Sequence, residues 1–305
     1  DKPKNMRKNT RNINNKKKNN KSQQQQQQSN QQPKQQVNQQ VNQKVNQKIK
    51  NTTFPSNQYQ KVTVIKDPLT WRNSKNFFPT FEYEGGDGFK SVKITLNPNQ
   101  KINADAGAMN YMTNDMKIET QMGSPLRLFS STSFFYNTFY NDGNQKAQVN
   151  LSSLHPGDVT CFYIPNGHSF NFVSDTYICS TTNLNIDTDF RLGGFILGYG
   201  IAFVSVTANN GPGLVWCGSY GNTINYTLKQ NEKIKIDNGV LLGFEDNAKL
   251  ETTSVGGFMS TIFSGEGLVT EIKNDNTEPV TIYLQSRSKI DYNNYIKKIA
   301  GHKYG

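Results

Sequence analysis

A stretch of 25 residues recurs in this chain as a diverged copy aligned without a gap, and a chain that repeats itself at fixed spacing is restricted to folds that stack one unit. LNPNQKINADAGAMNYMTNDMKIET (Leu96–Thr120) lies 132 residues ahead of LKQNEKIKIDNGVLLGFEDNAKLET (Leu228–Thr252). Leu, Lys-Ile, Asp, Gly and a closing Lys-Ile/Leu-Glu-Thr fall in register. A fainter copy, IPNGHSFNFVSDTYICSTTNLNIDT (Ile164–Thr188), sits 68 residues after the first. Each copy is one supersecondary unit that needs its neighbours to bury its apolar face.

From residue 77 onward the chain is a series of strand-length, β-branched and aromatic runs: FKSVKITL, FFYNTFY, DVTCFYI, FNFVSD, GIAFVSVTA, GLVWCGSY, INYTL, KIKID, VLLGF, LVTEIK and VTIYLQS. Gly, Asn, Asp and Pro separate them, and the helical period is missing until DYNNYIKKIA near the C-terminus, which reads as a short helix. The body is therefore expected to be all-β. Asp105 with Gly107, and Asp237 with Gly239, read as turns in which the acid accepts local N–H bonds and Gly takes φ > 0. A Gly-bearing connection follows in each copy (GSPLRLFSSTSFF, GGFILGYGIAFV, GGFMSTIFSGEGLV). One such unit leaves sheet edges open, whereas three can close on one another. The expected organisation is a tail and linker over 1–76, β repeats over 77–153, 154–222 and 223–290, and a short extension over 291–305.

The charge lies outside that body. Residues 1–50 hold 13 Lys and Arg against one acid, Asp1, and the whole chain carries +11, so residues 51–305 are left at −1. The tail is low-complexity (KKKNNK, QQQQQQ, then Asn/Gln with scattered Lys), too poor in apolar surface to offset the entropy of ordering, so disorder is expected. Val37, Val41, Val45 and Ile49 recur every four residues, either a thin stripe that orders as a helix on a partner or a slippage-generated repeat without a role. Residues 51–76 read as a linker, with Trp71 packed on the edge of the body. The basic start lacks the Arg/Ser-rich amphipathic character of a mitochondrial transit peptide, and no signal peptide is visible. No run of about 18 apolar residues exists to cross a membrane as a helix. Three cysteines without C-x-x-C spacing (Cys161, Cys179, Cys217) read as buried thiols of a reducing compartment, such as cytoplasm or a virion interior.

The residues that repeat also resemble a known family. GDGFKSVKITLNPNQKINADAGAMNYM, the GDV after Pro156, GGF…GYG, the IDNG of Ile236–Gly239 and FSGEGLV…VTIYLQSRS resemble the altered-inheritance-of-mitochondria family, from Phe81 to Ser288. The resemblance implies three repeats of a short double-stranded β-helix about a pseudo-threefold axis, each similar to the subunit of the tryptophan RNA-binding attenuation protein. It implies a link to mitochondrial membrane architecture, with the mitochondrion as a second compartment, and no catalytic residues. The chain departs from the pattern at Pro98-Asn99, where the family has Pro-Gly, and at Val173 and Asp175, where the middle copy lacks the Asp and Gly.

Chemistry is sparse. His155, His168 and His302 show no metal-ligand spacing, no G-x-S-x-G elbow or Cys/His arrangement is present, and GGDG at Gly85–Gly88 lacks a P-loop lysine, so no metal, cofactor or catalytic activity is expected. Glu119, Asp187 and Glu251 occupy equivalent positions in the copies. Near a threefold axis they would form a ring for a cation or basic partner; as strand-end carboxylates they simply blunt edges, the reading preferred here. Lys2, Lys4, Arg7, Lys8, Arg11, Lys16, Lys17, Lys18 and Lys21 form a flexible polycation that either binds phosphates by counterion release or solubilises the chain. The leading expectation is a non-catalytic β-scaffold acting through surfaces, in assembly or membrane organisation, with protein partners or copies of itself. The alternative is a nucleic-acid-associated protein whose tail anchors phosphates, as on an anionic surface or in a virion. A small-ligand binder using clefts between repeats is a third.

Overall fold

The computed structural model describes residues 61–69, 78–120, 136–189, 203–245, 247–253 and 269–301. Two compact units divide the chain at residue 56, and the described residues all fall in the second. The calls on the tail, Trp71 and most of the Gly-bearing connections lie outside them.

Twenty strands and one α-helix carry the described fold, with every strand pairing antiparallel. Two strands come first, β1 (Thr63–Ile65) and β2 (Thr80–Glu84). Then follow β3 (Ser91–Leu96), β4 (Lys101–Asp105), β5 (Met109–Met112), β6 (Met116–Thr120), β7 (Tyr136–Asn141) and β8 (Ala147–Leu151). The next six are β9 (Val159–Ile164), β10 (Ser169–Val173), β11 (Tyr177–Thr181), β12 (Asn185–Asp189), β13 (Phe203–Thr207) and β14 (Gly213–Gly218). The last six are β15 (Thr223–Leu228), β16 (Lys233–Asp237), β17 (Leu241–Glu245), β18 (Lys249–Thr253), β19 (Val269–Lys273) and β20 (Val280–Gln285), before α1 (Lys289–Gly301). All eleven runs read as strands in the sequence coincide with strands here. Within the stretch read as a linker, Thr63–Ile65 forms a strand, because Val-Thr-Val-Ile offers both alternation and β-branching to the edge of β9.

The pairing order of β3–β8 recurs in β9–β14 and again in β15–β20. In each set the first strand pairs the sixth and the sixth pairs the third (β3–β8–β5, β9–β14–β11, β15–β20–β17). The second strand pairs the fifth and the fifth pairs the fourth (β4–β7–β6, β10–β13–β12, β16–β19–β18). Successive sets are joined by β4–β11 and β10–β17. The result is a seven-stranded sheet, β1-β9-β14-β11-β4-β7-β6, and a six-stranded one, β12-β13-β10-β17-β20-β15. The same recurrence would set β16 against β5, yet each is the outer strand of its own sheet, β16-β19-β18 and β2-β3-β8-β5.

Turn chemistry recurs with the strands. Asn99 (φ 65°), Gly167 (φ 83°) and Asn231 (φ 62°) hold the left-handed position of the first hairpin in the three sets. Asparagine thus stands in for the glycine missing from Pro98-Asn99, since its short polar side chain tolerates φ > 0. Buried Asn141 donates through Nδ2 to the carbonyls of Leu96 (3.0 Å) and Gln145 (2.7 Å), and buried Asn274 does the same to Leu228 (3.0 Å) and Glu278 (2.9 Å). Gly107 has φ 105°, as its turn requires. Gly239 corrects the sequence expectation: Asp237 accepts from its N–H, but space rather than φ fixes the glycine, since a Cβ there would meet Ser288 Oγ at 2.1 Å.

Three cores separate the sheets. On β9 and β14, Cys161, Tyr163, Leu214 and Trp216 face the first core, whereas Phe162, Ile164, Val215 and Cys217 face the second. On β17 and β20, Leu242 and Tyr283 face the second core, and Leu241, Phe244 and Ile282 face the third. Strands buried on both faces explain the continuous apolar runs, because period-2 alternation disappears when neither face meets water. Trp216 is fully buried, edge-on to Phe81 at 5.1 Å between ring centroids. The three cysteines are buried and free, and burial, the largest influence on each, pushes their thiols far above the ordinary value.

Candidate functional site

The residues immediately before β3, β9 and β15 are Lys90, Asp158 and Asn222, at the same 68- and 132-residue spacings as the copies. They converge. Lys90 Nζ lies 3.1 Å from Asp158 Oδ1, and Asn222 Nδ2 donates to Asp158 Oδ2 at 3.0 Å. The Gly88 N–H donates to Asp158 Oδ1 at 3.2 Å, and Lys90 also pairs with Asp87 at 2.9 Å. Backbone bonds seal the junction: Lys90 N donates to Gly157 O (2.9 Å) and Asp158 N to Gly221 O (2.8 Å). Gly157 is needed because a Cβ there would stand 1.7 Å from Ser219 O.

The electrostatics of this clasp are self-contained. Burial alone would raise the Asp158 pKa, but the Gly88 N–H, the Lys90 ammonium and the Asn222 amide outweigh it and hold the carboxyl below its usual value. The hydrogen bond from Lys90 to Asp87 is the largest influence keeping the lysine above its ordinary pKa, against burial and with help from Asp158.

Beside the clasp opens a cleft of about 500 Å³, within the range of ligand-sized pockets. Residues 62–66, which include β1, form one wall; Thr223 and Asn225 of β15 form the other; Tyr83, Asp158, Thr160, Thr281 and Tyr283 complete it with Val159 and Lys90. Thr160 and Thr223 hydroxyls touch at 2.8 Å, and the Tyr83 hydroxyl accepts the Cys161 N–H at 3.2 Å. Burial is the chief cause that drives the hydroxyls of Tyr83 and Tyr283 well above the ordinary tyrosine value. The cleft thus offers hydroxyls, amides, strand edges and the exposed Lys66, whereas Lys90 and Asp158 are bound into the clasp.

The acids singled out in the sequence stand in equivalent register: Glu119 opposite Thr138, Asp187 opposite Ser205, Glu251 opposite Glu271. Their strands are the outer strands of three different sheets, and Glu119 and Asp187 are exposed. Among the described residues, no group of three His, Cys, Asp or Glu side chains is placed to hold a metal ion. The tail cations Lys2 to Lys21 lie outside the described residues. Lys90, Asp158 and Asn222 escape a search for repeats because three different residue types share one position; extending the register one residue upstream of each first strand would have found them.

A family model described as mitochondrial biogenesis AIM24 matches residues 81–287. The fold is similar to that of a Streptococcus pyogenes protein solved by X-ray crystallography, with a TM-score of 0.60 and 18% identity over 73% of this chain and 100% of the other. No curated protein matches the chain.

Proposed function

Because the chain belongs to the mitochondrial biogenesis AIM24 family, the one its motifs resemble, we propose that it is a non-catalytic β-scaffold acting through its surfaces in assembly or membrane organisation. In this reading the body is three repeats of a short double-stranded β-helix about a pseudo-threefold axis, as in the attenuation protein. The recurring strand order, and the meeting of Lys90, Asp158 and Asn222 where such an axis would pass, support it.

One observation carries the function: large apolar side chains stand exposed on regular elements, while Lys90 and Asp158 beside the cleft serve the fold. Met109, Tyr111 and Met112 are exposed along β5, Ile224 and Tyr226 along β15, and Tyr292, Tyr295, Ile296 and Ile299 along α1. Runs of apolar surface on ordered elements are the usual mark of an interaction face. α1 itself is anchored: Ser288 Oγ accepts the Asp291 N–H at 3.2 Å, and buried Lys289 lies 3.1 Å from Asp175. Among the described residues no helix is long and apolar enough to cross a membrane.

The alternative, a nucleic-acid-associated protein, rests on the +12 tail alone, since residues 51–305 sum to −1. Purifying the full-length chain with whatever accompanies it tests the scaffold reading, and stoichiometric partners are expected. A chain recovered alone, whose DNA binding vanishes on deletion of residues 1–50 and falls steeply with salt, would favour the alternative.

A further inference from the structure

In the first set, the cross-strand pair Lys93 of β3 and Asn150 of β8 grips a carboxylate. Lys93 Nζ donates to Glu84 Oε1 at 2.6 Å, Asn150 Nδ2 to Oε2 at 2.8 Å and the Tyr111 hydroxyl to Oε2 at 3.0 Å. These donors, Lys93 foremost, hold the Glu84 carboxyl below its usual value. The equivalent pair in the third set is Asn225 of β15 and Tyr283 of β20, opposite each other in the same register, and both line the cleft. β15 is the outer strand of its sheet, so no counterpart of β2 brings a carboxylate to them.

Their hydrogen-bonding capacity is unspent. Tyr283 is 4% exposed, its ring edge-on to Phe162 and Phe170 at centroid distances of 4.8 and 5.6 Å. Among the described residues its hydroxyl has no hydrogen-bond partner, and it is not sealed from solvent, so it opens to the cleft. A hydroxyl at a buried residue is ordinarily paired, and an unpaired one marks a place for something else. The Asn225 amide is likewise without a partner among the described residues. The Tyr83 hydroxyl accepts the Cys161 N–H and keeps its own proton to give. Exposed Lys66 is the one cation of the lining outside the clasp.

We propose that the cleft binds a small hydroxy acid, its carboxylate held by Asn225 and Tyr283 in the places of Lys93 and Asn150, with Lys66 supplying the positive charge. The spare groups are mostly donors, which suits an acceptor-rich anion, and the first set shows that this face takes a carboxylate. Hydroxyls on the body of the ligand meet Thr160 and Thr223, which share one hydrogen bond at 2.8 Å and keep a proton and lone pairs over. The cleft of about 500 Å³ is large enough for a sugar acid. Such a site is independent of the surface-acting reading, because a ligand there leaves the exposed side chains of β5 and α1 free.

Sodium glucuronate and sodium gluconate, titrated into the 305-residue chain and followed by calorimetry, test the site. Saturable binding of at least one is expected, lost with glucose and with the methyl ester of glucuronic acid, which lack the charge. Tyr283→Phe and Lys66→Gln should each weaken it about tenfold or more, since each removes a donor to a charged group. Tyr226→Phe should change it less than about twofold, because that hydroxyl donates to Glu232 at 2.6 Å, away from the cleft. Tyr283→Phe keeps the ring against Phe162 and Phe170, so without ligand its urea midpoint is expected to be no lower than that of wild type. No binding of either acid overturns the proposal, as does equal binding of the ester or equal affinity for inorganic phosphate. Unchanged affinity in Tyr283→Phe, or a lowered midpoint that shows the hydroxyl serving the fold, overturns it too.

Discussion

Removing the carboxylate at the centre of the clasp tests how the three sets are held together. Asp158 accepts from Gly88 N, Lys90 Nζ and Asn222 Nδ2 at 3.2, 3.1 and 3.0 Å. Hydrogen bonds to a charged group contribute about 1.5–3 kcal/mol each when buried. The site is partly open, with the Lys90 and Asp158 side chains 26% and 16% exposed, and Lys90 keeps Asp87. Each bond is then discounted to about 1 kcal/mol, and Asp158→Ala is expected to cost about 2–4 kcal/mol. Asp158→Asn keeps the shape and loses the charge, for about 1–2 kcal/mol. Urea unfolding at pH 7 reads both, and a cycle with Lys90→Met isolates the pair. The pH dependence has a fixed sign: the carboxyl is held below its unfolded value of 3.8, so its contribution is present above that pH and lost as pH falls through the folded value. Asp158→Asn should flatten that acid limb. A cost below about 0.5 kcal/mol for Asp158→Ala would refute the clasp, since that is the range of an ordinary surface substitution.

Other expectations follow from single sites. Trp216→Ala, in the first core, should cost about 3–5 kcal/mol by chemical denaturation. Asn141→Ala and Asn274→Ala should each cost about 1–3 kcal/mol and by matching amounts, because each leaves an equivalent pair of carbonyls without its donor. Burial raises the Asp105 pKa from 3.8 to about 6, so stability from this group is full below 3.8 and lost as pH rises through about 6. Asp105→Asn should therefore be more stable than wild type above pH 6, by about 1 kcal/mol after screening at a half-buried site, with no gain below pH 4.

Local pattern made much of this fold legible. Alternation and β-branching marked the strands that carry them strongly, and the gapless match between the outer copies set the period. YICST (β11) went unread because it is buried on both faces and does not alternate; AQVNL (β8) does alternate, with Ala147, Val149 and Leu151 in the first core, but Ala, Gln and Asn give it little β-propensity. The middle copy diverges most in sequence yet keeps the pairing order, since Gly167 serves the turn that Asn99 and Asn231 serve in the others. The clasp was hidden for a different reason. Lys, Asp and Asn are unlike one another, and contacts among three equivalent positions are complementary only when the residues differ. The junctions β4–β11 and β10–β17 join strands far apart in the chain, which no local period encodes.

The mass of this 305-residue chain with whatever accompanies it, isolated at low salt without cross-linking, bears most directly on a scaffold that acts through its surfaces. The account predicts a particle heavier than the 34.4 kDa chain, containing a second polypeptide in fixed ratio. A lone 34.4 kDa species at physiological concentration, with no companion, would contradict it.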